Sequence, residues 1–245
     1  MGDSITQGLG SKKINFTEEL QSLLGDEFYV DNMALTGTTI EYARTIVQTI
    51  LDKKPDTVVI IYGSVDAQIR PNRKGHVFSH IPGRFKKSGM LMPRPFYSHA
   101  WYKKIGQKID NWMRWIFSKL ICCIDGTEQW VDLEVFKQIY REVVLAFLKE
   151  KIKVVICSTV FIDEKKFHGS LMQYKYFNEE LQKMAQEFQV KYIDLFSLLK
   201  KAVQTDGGWN KFYCDDHFHP NAGGYKIIAK MLSNELSDGE KGWEN

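Results

Sequence analysis

Two short stretches at opposite ends of the chain carry residue types that do chemistry together. The first is Gly2-Asp3-Ser4, in the opening MGDSITQGLG; the second is Asp216-x-x-His219, in CDDHFHPNAGGY. A serine hydroxyl is a weak nucleophile until a base removes its proton, and a histidine base usually needs a carboxylate to fix its tautomer. Ser4, His219 and Asp216 supply one of each. Pro220 restrains the backbone at His219, and a helical pattern follows that fixes the turn from behind. Alone, an Asp-x-x-His pair is most often structural; together with the opening turn it points to nucleophilic catalysis.

These residues need a scaffold, and the rhythm of the chain predicts one. NFTEELQSLLG reads as a helix, with Asn15 and Glu18 at capping-box spacing and Gly25 able to stop it. EFYVDNMA reads as a strand, Gly37-Thr38-Thr39 as a turn, and the following helix ends before Pro55. DTVVIIYG is a continuous β-branched run closed by a glycine, the pattern of a strand buried on both faces of a parallel sheet. Beyond about Trp130 come a helix over LEVFKQIYREVVLAFLKE, a strand KVVICSTVF, a helix from Met172 to Phe188, a strand VKYIDLF and a last helix in NAGGYKIIAKMLSNEL. Alternating strands and helices imply an α/β fold with a parallel sheet and right-handed crossovers. Such sheets hold ligands beyond the carboxyl ends of their strands. That rule singles out Asp3 and Ser4, the turn from Asn32 to Gly37, the turn from Gly63 to Asp66, and the loop around Asp216.

The segment from about residue 67 to 130 interrupts the alternation and reads as an inserted lid in an otherwise single domain spanning 1–245. Four of the six prolines fall in or beside it. From Ala67 to Ile121, twelve Lys or Arg stand against Asp110 alone, so this stretch carries +11 while the chain as a whole carries +3. Within it, Trp101, Ile105, Ile109, Trp112, Ile116 and Leu120 recur at helical spacing, with Lys103, Lys104, Lys108 and Arg114 on other faces. One expectation is that this apolar stripe packs on the domain and the lysines are solvated. The other is that residues 101–121 meet an anionic surface, a glycan or a membrane. Arg84 and Arg94 have the planar fork that grips a carboxylate, and Trp101 the flat face that stacks on a sugar.

Composition narrows the rest. At 245 residues with 44% hydrophobic residues the chain buries a core without staples. Cys122, Cys123, Cys157 and Cys214 lack paired spacing and suit a reduced, cytosolic chain, although a trimmed leader stays compatible with so abrupt a start. Cys214, Asp215, His217 and His219 match no common zinc spacing, so no metal is expected. The early glycines lack the Gly-Lys-Ser/Thr of a phosphate loop, no nucleic-acid module is visible, and no cofactor is expected. His76, His80, His99 and His168 have no evident partner and are expected at the surface.

The same residues resemble the SGNH hydrolases, also called the GDSL family. GDSIT is similar to the first block of that family, with Ser4 as nucleophile and one oxyanion donor; NMALTG is similar to the second, with the Gly37 backbone N–H as another donor; DHFHPN is similar to the last, with Asp216 and His219 completing a triad. The resemblance implies a three-layer, flavodoxin-like fold and a serine esterase acting on short acyl esters, acetyl above all, on a small molecule or glycan. It leaves open an O-acyltransferase of the same fold and a weakly active glycan-binding or membrane-associated module. The third block departs from the family. GSVD puts Val65 where the family has an oxyanion-binding asparagine, and valine cannot donate. Ser64, Gln68 and Arg70 are candidates to replace it. Asp3, Asn32, Asp66, Arg70, Arg94 and Trp101 are the candidate substrate-binding residues.

The resemblance also implies that the Gly-Asp-Ser turn ends a central strand, between Phe28–Met33 and Thr57–Tyr62. Only Met1 precedes the turn here. The expectation is therefore that a short apolar strand belongs ahead of Met1.

Overall fold

The computed structural model describes residues 1–11, 16–86, 91–92, 94 and 100–241. Asn15, the expected helix cap, and His99 lie outside these. In chain order the elements begin with α1 (Phe16–Leu24), which ends at Gly25 with φ of +83°, then α2 (Ile40–Leu51) and β1 (Thr57–Ile60). The basic segment holds β2 (Arg70–Pro71), the short helices α3 (His76–His80) and α4 (Gly83–Lys86), the long helix α5 (Trp101–Ile124) and β3 (Thr127–Glu128). The alternation then resumes with α6 (Leu133–Lys149), β4 (Lys153–Cys157), α7 (Ser170–Glu187), β5 (Lys191–Ile193), α8 (Leu195–Thr205), α9 (Trp209–Phe212) and α10 (Ala222–Lys241).

The sheet is parallel, in the order β1-β4-β5, with Val59 opposite Val155 and Ile156 opposite Tyr192. β1 and β4 are built largely from β-branched residues, the composition of strands covered on both faces. α6 presents Phe136, Tyr140, Val143, Val144 and Phe147 to the core, and α7 presents Tyr174, Phe177, Leu181 and Met184, both at helical spacing. Helix α6 packs on α2 and on α7, while α1 packs on α10 and α10 on α8 and α9. Truncating a fully buried side chain such as Phe147 costs about 3–5 kcal/mol in cores of this kind.

Gly2 lies between β1 and the 28–34 segment, bridged in parallel to Ile61 on one side and Ala34 on the other. Its Cβ position would fall 2.8 Å from the Ile61 carbonyl oxygen and closer still to Thr6, so glycine is required. The strand expected over Phe28–Met33 does not form. Among the described residues only Ala34 finds a bridge partner, and the Gln21 side chain takes up the backbone instead, accepting from Val30 N and donating to the carbonyls of Gly25 and Phe28. A cavity of about 1160 Å³ separates this segment from β1 and β4, lined by Met1, Phe28, Val30, Thr57 and Val154 among others.

Two further expectations change. VKYIDLF is a strand only to Ile193, because the Asp194 side chain accepts from Ser197 N and starts α8, a helix the sequence pattern did not announce. The apolar stripe of α5 is not packed on the domain. The buried face of α5 is formed by Arg114 and Ile121, with Met113 and Phe117, against Ile81, Phe85 and Leu91. Of the stripe, Trp101, Ile105, Ile109, Trp112 and Leu120 face outward and Ile116 is half-buried. At its base the basic segment is closed by the antiparallel pairing of Arg70 with Glu128 and Pro71 with Thr127.

Candidate active site

Ser4 stands on the turn that leaves the sheet at Gly2. The turn is locked by its own backbone, with Gln7 N donating to Asp3 O and Leu9 N to Ser4 O, each at 3.0 Å. Asp3 Oδ1 accepts from Ile5 N at 2.9 Å, while its Oδ2 has no partner among the described residues. Burial pushes the Asp3 carboxyl up to about 6.

His219 reaches this turn from the far end of the chain. Its Nε2 lies 3.0 Å from Ser4 Oγ, and its Nδ1 lies 2.6 Å from Asp216 Oδ2. A carboxylate only accepts, so Nδ1 carries the ring proton and Nε2 presents its lone pair to the Ser4 hydroxyl. The other Asp216 oxygen accepts from the backbone N–H of Phe218 and of His219, both at 3.1 Å, which fixes the carboxylate in the plane it needs. Asp216 is wholly buried and His219 and Ser4 nearly so. The two chain ends are stapled beside the trio. Cys214 Sγ donates to Gly10 O at 3.2 Å and Tyr225 Oη to Leu9 O at 2.7 Å.

A second histidine–aspartate pair, missed at the level of sequence, braces the same loop. His217, with φ of +55°, places Nδ1 2.6 Å from Asp163 Oδ2, and its ring stacks on Trp209 with centroids 4.7 Å apart and planes 2° from parallel. Burial pushes the Asp163 carboxyl up, but the bond from His217 and the nearby Lys166 outweigh it and hold it below the usual range. Lys166 donates to the Asp215 carbonyl. Asp163 follows β4 at its carboxyl end, so the crevice rule is the signal that finds it.

The remaining candidates divide. Gly37 has φ of +77° and open space at its Cβ position, compatible with a backbone N–H turned toward a ligand. Ser64 is buried, its Oγ accepting from Val160 N at 3.3 Å and its carbonyl from Tyr174 Oη at 2.5 Å. Val65 and Gln68 are buried as well. Asn32, Asp66 and Arg70, expected at substrate, are turned into the protein. Asn32 donates to Thr6 O and accepts from Ala34 N. Asp66 accepts from Ile40 N at 2.8 Å, at the start of α2, and from Gly63 N at 3.1 Å, and burial lifts its carboxyl to about 7. Arg70 donates from Nη2 to the Val65 carbonyl at 2.9 Å and lies 3.7 Å from the centre of the Trp130 ring. Asp3 likewise lies beneath the turn. These four brace the turns that carry the site. Arg94 is half-buried, with its backbone paired to the Asn111 amide. Trp101 is 74% exposed. None of Ser4, Asp216 and His219 lines the large cavity under Met1.

The model of the GDSL-like lipase/acylhydrolase family matches residues 1–227. The chain belongs to that family. Among curated protein sequences nothing matches. Solved structures do. The acetylxylan esterase Axe2 from Geobacillus stearothermophilus superposes with a TM-score of 0.60 at 16% identity, covering 96% of this chain and 91% of its own. The lipase/acylhydrolase from Enterococcus faecalis gives 0.59 at 16% identity, covering 97% and 93%. LAE5, an alpha/beta hydrolase from the metagenome of Lake Arreo, gives 0.61 at 15%, covering 96% and 92%. At these identities the structures establish a shared fold, and the family match establishes a serine ester hydrolase.

Proposed function

We propose that this GDSL-family hydrolase removes short acyl groups, acetyl above all, from hydroxyls of a carbohydrate, with Ser4 as nucleophile. The observation that carries the reading is the relay Ser4 Oγ to His219 Nε2 at 3.0 Å and His219 Nδ1 to Asp216 at 2.6 Å. Ser4 Oγ attacks the ester carbonyl carbon as its proton passes to His219 Nε2. The carbonyl π pair moves onto oxygen, where the N–H groups of Ser4 and Gly37 stabilise it. Collapse breaks the bond to the alcohol, which leaves with the proton from Nε2. Water then attacks the acyl-enzyme, giving its proton to Nε2, and the second collapse releases the acid and returns that proton to Ser4. Asp216 stays ionised throughout, holding the tautomer and offsetting the imidazolium charge.

The short acyl group and the carbohydrate are supported by the likeness to Axe2, an acetylxylan esterase, and by the matching sequence blocks. Val65 leaves the oxyanion with two backbone donors, and the 67–130 segment is read as the lid that shapes the alcohol side of the crevice. A panel of chromogenic esters with lengthening acyl chains, followed by acetylated oligosaccharides with acetate release as the readout, tests this. The reading expects kcat/KM to fall from acetyl to longer chains and acetate to appear from a sugar ester. A preference for long chains overturns the acyl assignment, and acetyl transfer to an added sugar without free acetate replaces hydrolysis by acyl transfer.

A further inference from the structure

We propose that α5 docks this protein on an anionic lipid bilayer, lying in the plane of the interface with its apolar face in the boundary between headgroups and acyl chains. The face is large and bare. Trp101 is 74% exposed, Ile105 49%, Ile109 55%, Trp112 58% and Leu120 44%. At 100° per residue these five fall within about a third of the helix circumference, and they run along a helix of 24 residues, about 36 Å. An unbroken apolar strip of this length in water is unusual for a soluble surface and marks an interaction site. Its aromatic members are Trp101, Trp112 and the adjoining Tyr102, the residue types that favour the level of lipid headgroups.

Charge selects the partner. Lys104, Lys108 and Lys119, all exposed, border the strip, and Lys103 lies further round. The helix carries one acid before its C-cap, Asp110, which is bound to Arg114 at 2.6 Å on the other side. A second copy packed strip to strip would bring two lysine borders together, whereas a sheet of anionic headgroups meets them with opposite charge. Among the described residues no helix is long and apolar enough to cross a membrane, so the geometry is that of a helix lying on the surface.

The lysine edge of α5, where Trp115 lies between Lys104 and Lys108, ties the docked face to the crevice. Trp115 Nε1 donates to the Lys165 carbonyl at 3.1 Å, and the loop holding Lys165 carries Asp163 and Lys166, which grip His217 and Asp215 beside His219. A surface that receives α5 therefore lies next to the loop of His219. The docking stands whether or not the esterase reading holds, because binding and hydrolysis are measured separately.

Co-sedimentation with vesicles of phosphatidylcholine, alone or mixed with phosphatidylglycerol, tests the proposal. The whole chain is expected to pellet with the mixed vesicles, to bind the neutral ones at least about tenfold more weakly, and to be released by salt. Ile109→Glu with Trp112→Glu changes exposed positions only. It is expected to lower binding to the mixed vesicles by about tenfold or more while the melting temperature in the absence of vesicles stays that of the parent chain. Absence of vesicle binding at low salt overturns the proposal, as does equal binding to both vesicle types. So does a dimer in solution that the double substitution dissolves, which would make a second copy the occupant.

Discussion

The Arg70 guanidinium is held between Trp130 and the Val65 carbonyl, 3.7 Å from the ring centre and 2.9 Å from the oxygen. It thus joins the base of the basic segment to the 63–66 turn, which the resemblance leads one to expect beside the oxyanion. Its Nε and Nη1 are buried without a partner among the described residues, and burial lowers its pKa to about 10. This is a costly way to secure stability, since a buried charge is often replaced by an apolar residue without loss.

Arg70→Met keeps the stem on Trp130 and removes the donor. Its melting temperature is expected to match or exceed that of the parent chain. Its kcat on an acetyl ester is expected to fall about tenfold with KM within twofold, because the 63–66 turn shifts by a fraction of an ångström. An unchanged kcat would show that Val65 is held by other means.

Val65→Asn restores a side-chain donor at that turn. One oxyanion donor is worth about 10²–10³ in rate where the geometry is ideal, so a gain of about tenfold in kcat is expected at a buried site not built for it. A loss of activity would mean that another group already fills the space.

Gly10 has φ of +101°, and a Cβ there would lie 2.7 Å from Cys214 Sγ and 3.1 Å from His219 Cβ. Gly10→Ala therefore strains its own backbone and pushes on the loop of His219. A loss of kcat of about tenfold or more is expected, since small displacements of a catalytic base are costly. The check is kinetics beside a thermal melt. Full activity in a stable variant would separate this contact from the position of His219.

Asp66 gives the fold a pH dependence of unusual sign for a carboxylate. Its ordinary pKa is 3.8 and burial raises it to about 7 in the folded chain, so between those values the folded state binds the extra proton. Stability then falls as pH rises through this window, with a slope no steeper than about 1.4 kcal/mol per pH unit from this one group. Asp3, raised to about 6, acts in the same direction. Thermal melts from acid to neutral pH are expected to show the melting temperature dropping toward neutrality, with a shallower slope in Asp66→Asn. A slope unaltered by the substitution would assign the trend to other groups.

Much of this was legible in the sequence because it is local. Gly-Asp-Ser and Asp-x-x-His declare themselves by spacing, and the β-branched runs of β1 and β4 by their continuity. The failures are where neighbours decide. Phe28–Met33 has the composition of a strand, yet a strand exists only where a ladder pairs it, and Gln21 took its backbone. Asn32 and Asp66 sit at the right strand ends for ligand contact, but nearby backbone N–H and carbonyl groups claimed their side chains. The pairing of His217 with Asp163 spans 54 positions and leaves no local trace. The bare face of α5 follows the helical period of any packed helix, so exposure could be read only from the fold.

The central claim is that Ser4 attacks an ester. Hydrolysis of a chromogenic acetyl ester by the parent chain and by Ser4→Ala, both shown to fold, measures it most directly. The account predicts turnover that saturates in the parent and falls by a factor of about 10³ or more in the alanine variant. Equal rates in the two proteins would contradict it.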